Sequence, residues 1–168
     1  SEDAKVLLGL AKELNCNFVR MSHYPYNEPF IRMADEMGIL LWEEIPVFWD
    51  IDFANPATYK NALNQLEEVI SRDKNRASVI IWAVNNETEA GEKRDIFIKN
   101  LIQATRNLDA TRLVGGTLEN DWSISSTYKR IVHDPIGNEF DFIAVNQYAG
   151  WYDHNATPSI CDSVSFEY

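Results

Sequence analysis

The chain has 168 residues, enough for one domain with a sizeable core. Its hydrophobic content of 45%, with 5 Trp, 7 Tyr and 8 Phe, argues against disorder, and its net charge of −11 argues against nucleic acid as a partner, because phosphate backbones repel it. No apolar run approaches the ~18 residues a membrane-spanning helix requires, so no membrane partner is expected.

Residues 2–14 read as a helix, with Val6, Leu7, Leu10 and Leu14 at helical spacing. "CNFVRM" follows as a short strand, and "NEPFIRMADEMG" as a helix stopped at Gly38. "ILLW" is a buried strand. Asn55-Pro56 supplies an N-cap and a first-turn proline for a helix with Leu63, Leu66, Val69 and Ile70 on one face. "SVIIW" is the third strand, and a helix from Glu92 to Leu108 carries Phe97, Leu101, Ala104 and Leu108 on one face. "TRLVGG" and Asp141 to Val145 are the last two strands; residues 117–140 read as irregular, with room for a short helix.

Strand and helix therefore alternate, and each strand is a continuous apolar run without polar alternation. Strands of that kind are covered on both faces, which implies a parallel sheet with helices outside, either doubly wound or a (β/α)8 barrel. Gly115-Gly116 lacks the third glycine and helix start of a phosphate loop. Cys16 and Cys161 form neither a disulfide framework nor a zinc spacing, and read as a buried free thiol and a loop thiol. No signal-peptide pattern opens the chain, but Ser1 is not an initiator Met, so localisation is left open.

In both architectures the chemistry lies beyond the C-terminal ends of the strands. The residues there are Arg20, Ser22, His23 and Tyr24; Trp42, Glu43 and Glu44; Asn85, Asn86 and Glu87; Gly115, Gly116 and Thr117; and Asn146, Gln147 and Tyr148, followed by Trp151 and Tyr152. Carboxylates, amides, an Arg, a His and aromatic platforms on one rim suit a neutral polyhydroxylated ligand such as a sugar. Each has a plainer alternative. Glu87 is also the acidic residue that an early helix turn favours, Glu43 and Glu44 are also solvated loop carboxylates, and Trp49 and Trp151 are also packing aromatics. His133 and His154 read as ordinary loop histidines.

"NFVRMSHYPYNEPFIRMADEMGILLW", from Asn17 to Trp42, resembles the first signature of glycoside hydrolase family 2, the β-galactosidases and β-glucuronidases. "DKNRASVIIWAVNNE", from Asp73 to Glu87, is similar to the second signature, which follows about 30 residues later. Met21, Ala83 and Asn85 depart from the usual residues, and none removes a reactive group. The resemblance implies a (β/α)8 TIM barrel, with residues 1–168 covering about strands two to six and their helices, and hydrolysis of terminal β-linked sugars with retention. It makes Glu87 the general acid/base and Asn86 a donor to the 2-hydroxyl. Arg20 would orient the nucleophile, His23 contact sugar hydroxyls and Tyr148 hydrogen-bond the nucleophile, with Glu44, Trp151 and Tyr152 also on the substrate. "VNQYAGWYD" resembles the glucuronidase branch. Ile45-Pro46-Val47-Phe48-Trp49 lacks the Glu and His that the galactosidase branch places there for magnesium, so neither metal nor other cofactor is expected.

The family's nucleophile ends the seventh strand. The last candidate, Glu167, follows Tyr148 too closely for a parallel crossover and has no amphipathic helix before it. Ser163–Tyr168 therefore reads as the start of the sixth helix region, with the nucleophile expected beyond Tyr168. The chain would then be an inactive piece of an enzyme that is a homo-oligomer at full length. The rival reading is a non-catalytic carbohydrate-binding pseudo-glycosidase, which an intact Asn86-Glu87 argues against.

Overall fold

The computed structural model describes residues 2–120, 129–146, 148 and 165–167. In chain order these form α1 (Glu2–Glu13), β1 (Phe18–Met21), α2 (Glu28–Met37), β2 (Leu40–Glu44), α3 (Pro56–Asp73), β3 (Val79–Asn86), α4 (Glu92–Leu108), β4 (Leu113–Leu118), β5 (Lys129–Ile131), a 3-10 turn (Pro135–Glu139), β6 (Phe142–Val145) and β7 (Ser165–Glu167). The main sheet runs β1-β2-β3-β4-β6, every pair parallel. It is a curled half-barrel alternating with helices, the arrangement of a partial (β/α)8 barrel.

Local signals fix the helices. Asn27 Oδ1 accepts from Phe30 N at 3.0 Å to cap α2, and Gly38, at φ 66, ends it in the left-handed conformation that a Cβ would disfavour. Asn55 Oδ1 accepts from Ala57 N at 2.9 Å, and Pro56 fills the first position of α3. Asp35 at the end of α2 accepts from Ser78 N at 2.8 Å, tying the helix to the start of β3.

The sheet separates two apolar layers. Trp42, Ile81 and Ala83 form the inner cluster with Phe142 and Ala144, while the larger core fills the space under the helices with Leu41, Leu66, Ile70, Trp82, Val84 and Ile98. Gly115 belongs to this packing: a Cβ there would stand 2.4 Å from the Phe142 ring. The Gly115-Gly116 pair thus makes room for aromatic rings.

Two expectations are corrected, and the helix expected at the start of the chain is found with most of its apolar stripe uncovered. Ser165–Glu167 is a strand, paired in parallel with Lys129–Ile131 in a separate two-stranded sheet, and is no helix start. Phe166 is aromatic, a residue type that favours a pleated ladder when one is offered. Cys16 is exposed, not buried. Helix α1 buries Ala4 and Leu8, whereas Val6, Leu7, Leu10 and Leu14 are each more than half exposed.

Candidate active site

Strand β3 continues through Asn85 and Asn86, one and two residues past its apolar run. Its register against β4 shifts between Ala83 and Asn86. Such an irregularity re-aims the side chains that follow it, and here it lies at the candidate catalytic pair. Glu87 N donates to Thr117 O at 2.9 Å, and Glu87 itself sits at φ 49. Beneath it, Asn85 Nδ2 donates to Thr117 O at 2.9 Å, and Thr88 Oγ1 donates to Asn85 Oδ1 at 2.5 Å. Asn85 is therefore a brace under the turn, a task the sequence did not disclose.

Arg20, at the end of β1, organises the rim. Its Nε donates to Glu44 Oε1, its Nη1 to Asn146 Oδ1 at 2.7 Å and its Nη2 to Asn86 Oδ1 at 2.7 Å. The guanidinium also lies 4.8 Å over the Trp42 ring, a favourable cation–π position. His23 Nδ1 is 2.9 Å from Glu44 Oε2. A carboxylate only accepts, so Nδ1 carries the proton in this contact and the second ring nitrogen faces away from Glu44. Glu44, whose side chain is 3% exposed, is thus held by two donors, and the solvated-carboxylate reading of it is corrected.

Asn86 is oriented by chemistry as well as by backbone. Its Oδ1 accepts from both Arg20 Nη2 and Asn146 Nδ2, the latter at 3.1 Å. Two donors on one oxygen define which end of the amide is which. Asn86 Nδ2 is left with no hydrogen-bond partner among the described residues.

The structure thus gathers Arg20, His23, Glu44 and Asn86 in one network, with Glu87 next in the chain. Tyr148 follows β6 on the same rim and is half-buried. Trp151 and Tyr152, like Trp122, His154 and Cys161, lie outside the described residues. Asn146 is a network member that the sequence marked only as a strand-end amide. Glu119, one residue past β4, was missed: burial and then the nearby charges of Glu87, Glu89 and Asp134 push its carboxyl pKa up. Its signal was present, as one more acidic residue just after a strand.

Glu43 is not on this rim. It is 1% exposed and points the other way, toward the buried Asp73 at the end of α3. Successive residues of a strand face opposite sides, so Glu43 and Glu44 had to part. Among the described residues no group of three or more His, Cys, Asp or Glu side chains could hold a metal ion.

Known proteins resemble this chain in sequence and fold. The β-galactosidase of Thermoanaerobacterium thermosulfurigenes is 36% identical over 140 residues, which cover 80% of this chain and 18% of that protein. The β-glucuronidase of Paenibacillus borealis is 31% identical over 171 residues, 94% of this chain and 27% of that protein. Among solved structures, a β-glucuronidase from Ruminococcus gnavus in complex with D-glucuronic acid superposes with a TM-score of 0.75 at 30% identity, covering 96% of this chain and 26% of that one. The chain therefore spans about a fifth to a quarter of these relatives. The family model for glycosyl hydrolases family 2, TIM barrel domain, matches residues 3–165, and the chain belongs to that family.

Proposed function

We propose that the protein containing this chain is a retaining β-glycosidase of the β-glucuronidase type, with Glu87 as its general acid/base. The observation that carries this reading is the Asn86–Glu87 pair at the tip of β3. The Asn86 amide is oriented by two donors, so its unpartnered Nδ2 is offered to an acceptor such as a sugar hydroxyl. Glu87 follows directly, half-buried, where a leaving oxygen beside that sugar would lie.

Retention requires a second carboxylate, about 5–5.5 Å from the first, to form and release a glycosyl-enzyme. We assign that nucleophile to a part of the barrel outside this chain, so these residues alone do not turn over substrate. Arg20 and Glu44 then serve as a rigid floor: the guanidinium spends its donors on Glu44, Asn86 and Asn146, which fixes the amide that grips the sugar. The glucuronide preference draws on the relatives, several of which are β-glucuronidases, one bound to D-glucuronic acid.

The test is Glu87→Gln in the whole protein. Removing acid assistance should slow glycosides with poor leaving groups by roughly 10²–10⁴-fold. Glycosylation by an activated aryl β-glucuronide should be spared, a glycosyl-enzyme should accumulate, and added azide should restore turnover. Equal loss on both substrate types without azide rescue overturns the assignment and shifts it to Glu44. Preference for an aryl β-galactoside over the glucuronide in the wild type would overturn the substrate class alone.

A further inference from the structure

Trp49 combines three properties that rarely occur together. It is 62% exposed, the largest apolar side chain so placed among the described residues. Its backbone sits at φ 55, in the left-handed region where a bulky residue is a genuine outlier. And it is tied to the candidate acid/base turn, because Trp49 N donates to Asn86 O at 3.1 Å and Asn86 N donates to Val47 O at 2.9 Å, with Phe48 bridged to Asn86. A loop needing only to connect β2 to α3 would place Gly or Asn at such a position. A strained backbone maintained at a site edge is an observation from which function is inferred.

The ring's neighbours define what it is for. His23 and Phe48 lie 5.6 Å apart between ring centroids, and Phe48 and Trp49 5.5 Å apart at 90°. The three rings make a continuous row that starts at the His23–Glu44 contact and ends in solvent. Tyr24, the other exposed aromatic on this rim, is instead stacked on Tyr26 at 5.7 Å. Starting at Asp50, the residue after Trp49, a groove of about 710 Å³ is lined by Asp50, Asp52, Phe53, Glu92, Lys93 and others. Its Arg94 is already engaged, with Nη1 and Nη2 each 2.8 Å from Asp134. Three carboxylates against Lys93 repel an anionic occupant.

We propose that Trp49 is the wall of the leaving-group subsite, stacking on a flat, uncharged, apolar aglycone attached to the sugar that Asn86 and Glu87 engage. This deepens the glycosidase reading and rests on it. Proton donation by Glu87 takes place at the bond between sugar and leaving group, so a ring held beside the Asn86–Glu87 turn on the solvent side meets the leaving group. Aromatic faces stack on sugars as well as on aryl groups, but past His23 the row offers a single hydrogen-bonding group, the Trp49 indole N–H, too few for a second sugar's hydroxyls, which favours an aryl group.

The experiment compares kcat/KM for three substrates sharing one non-reducing sugar, a 4-nitrophenyl β-glycoside, a methyl β-glycoside and a disaccharide, in the whole protein. Intrinsic leaving-group chemistry cancels when each variant's ratios are divided by those of the wild type. In Trp49→Ala the aryl-to-methyl ratio should fall roughly 3–10-fold, the scale of one aromatic stacking contact, and Trp49→Phe should recover most of it. Trp49→Gly should lose the ratio equally while its melting temperature holds or rises, since glycine accepts this φ. A purely structural role would lower all three substrates together and would lower the melting temperature; either result overturns the proposal. A larger loss for the disaccharide than for the aryl glycoside overturns the aglycone class. A wild type that cleaves none of the three overturns the glycosidase reading itself, and this proposal with it.

Discussion

Glu43 and Asp73 present a direct test of buried electrostatics. Glu43 is 1% exposed and Asp73 0%, and neither Glu43 oxygen has a hydrogen-bond donor among the described residues. Arg72 serves Asp73, with Nε 2.6 Å from Oδ2, and reaches Glu43 only at 3.8 Å. One guanidinium cannot neutralise two buried carboxylates, so the pair holds a proton. Burial first, and then the Asp73 charge, push Glu43 from its ordinary 4.5 up to about 8, against the opposing pull of Arg72. The proton then makes Glu43 a donor to Asp73. A folded pKa above the unfolded one stabilises at low pH: the contribution is full below 4.5 and is lost as pH rises through about 8. Its ceiling is about 5 kcal/mol, with a slope of about 1.4 kcal/mol per pH unit inside the window. Glu43→Gln keeps a donor for Asp73 and abolishes the titration. Melting temperatures of the wild type and the variant, recorded between about pH 5 and pH 9, should therefore diverge. The wild type should lose stability relative to the variant with rising pH, and the variant should be the more stable of the two at the alkaline end. Titrating groups outside the Glu43–Asp73 pair are common to both and cancel. Parallel curves would refute the shared proton.

Arg94→Met should destabilise by about 3–5 kcal/mol, because it strands Asp134, whose two oxygens now each receive a bond at 2.8 Å; chemical denaturation measures this. Asn55→Ala removes the α3 cap and should cost about 1 kcal/mol by the same assay. Gly115→Ala should cost about 1–3 kcal/mol, since its Cβ would meet the Phe142 ring at 2.4 Å, and Phe142→Leu should relieve part of that loss. Activity should survive exhaustive chelation, because Ile45 and Val47 after β2 are buried apolar residues that offer no ligand; loss that magnesium restores would contradict this.

The architecture was legible because parallel strands buried on both faces read as unbroken apolar runs, and because Gly38 and Asn55-Pro56 punctuate the helices at their observed ends. The end of β3 was harder. Asn85 and Asn86 look like loop residues, yet they continue the ladder because their side chains are consumed by Thr117, Thr88, Arg20 and Asn146. Adjacent Glu43 and Glu44 were indistinguishable in sequence, since a single residue of register decides which one meets the rim and which meets Asp73. The three-residue strands β5 and β7 carry too little periodicity to detect, and their pairing across more than thirty residues is invisible to local pattern. The apolar stripe of α1 was seen correctly as a pattern, but a pattern does not say what will cover it.

The two left-handed residues beside the site, Trp49 at φ 55 and Glu87 at φ 49, bear on how this protein could be engineered. Backbone strain of this kind is worth of order 1–3 kcal/mol per residue. Gly or Asn at either position would relax it, so a variant library ranked by heat resistance alone would enrich such substitutions there. The most thermostable clones would then have discarded the proposed proton donor and the ring beside it. Selection for heat resistance should hold positions 49 and 87 fixed, or alternate each round with a screen on an aryl glycoside.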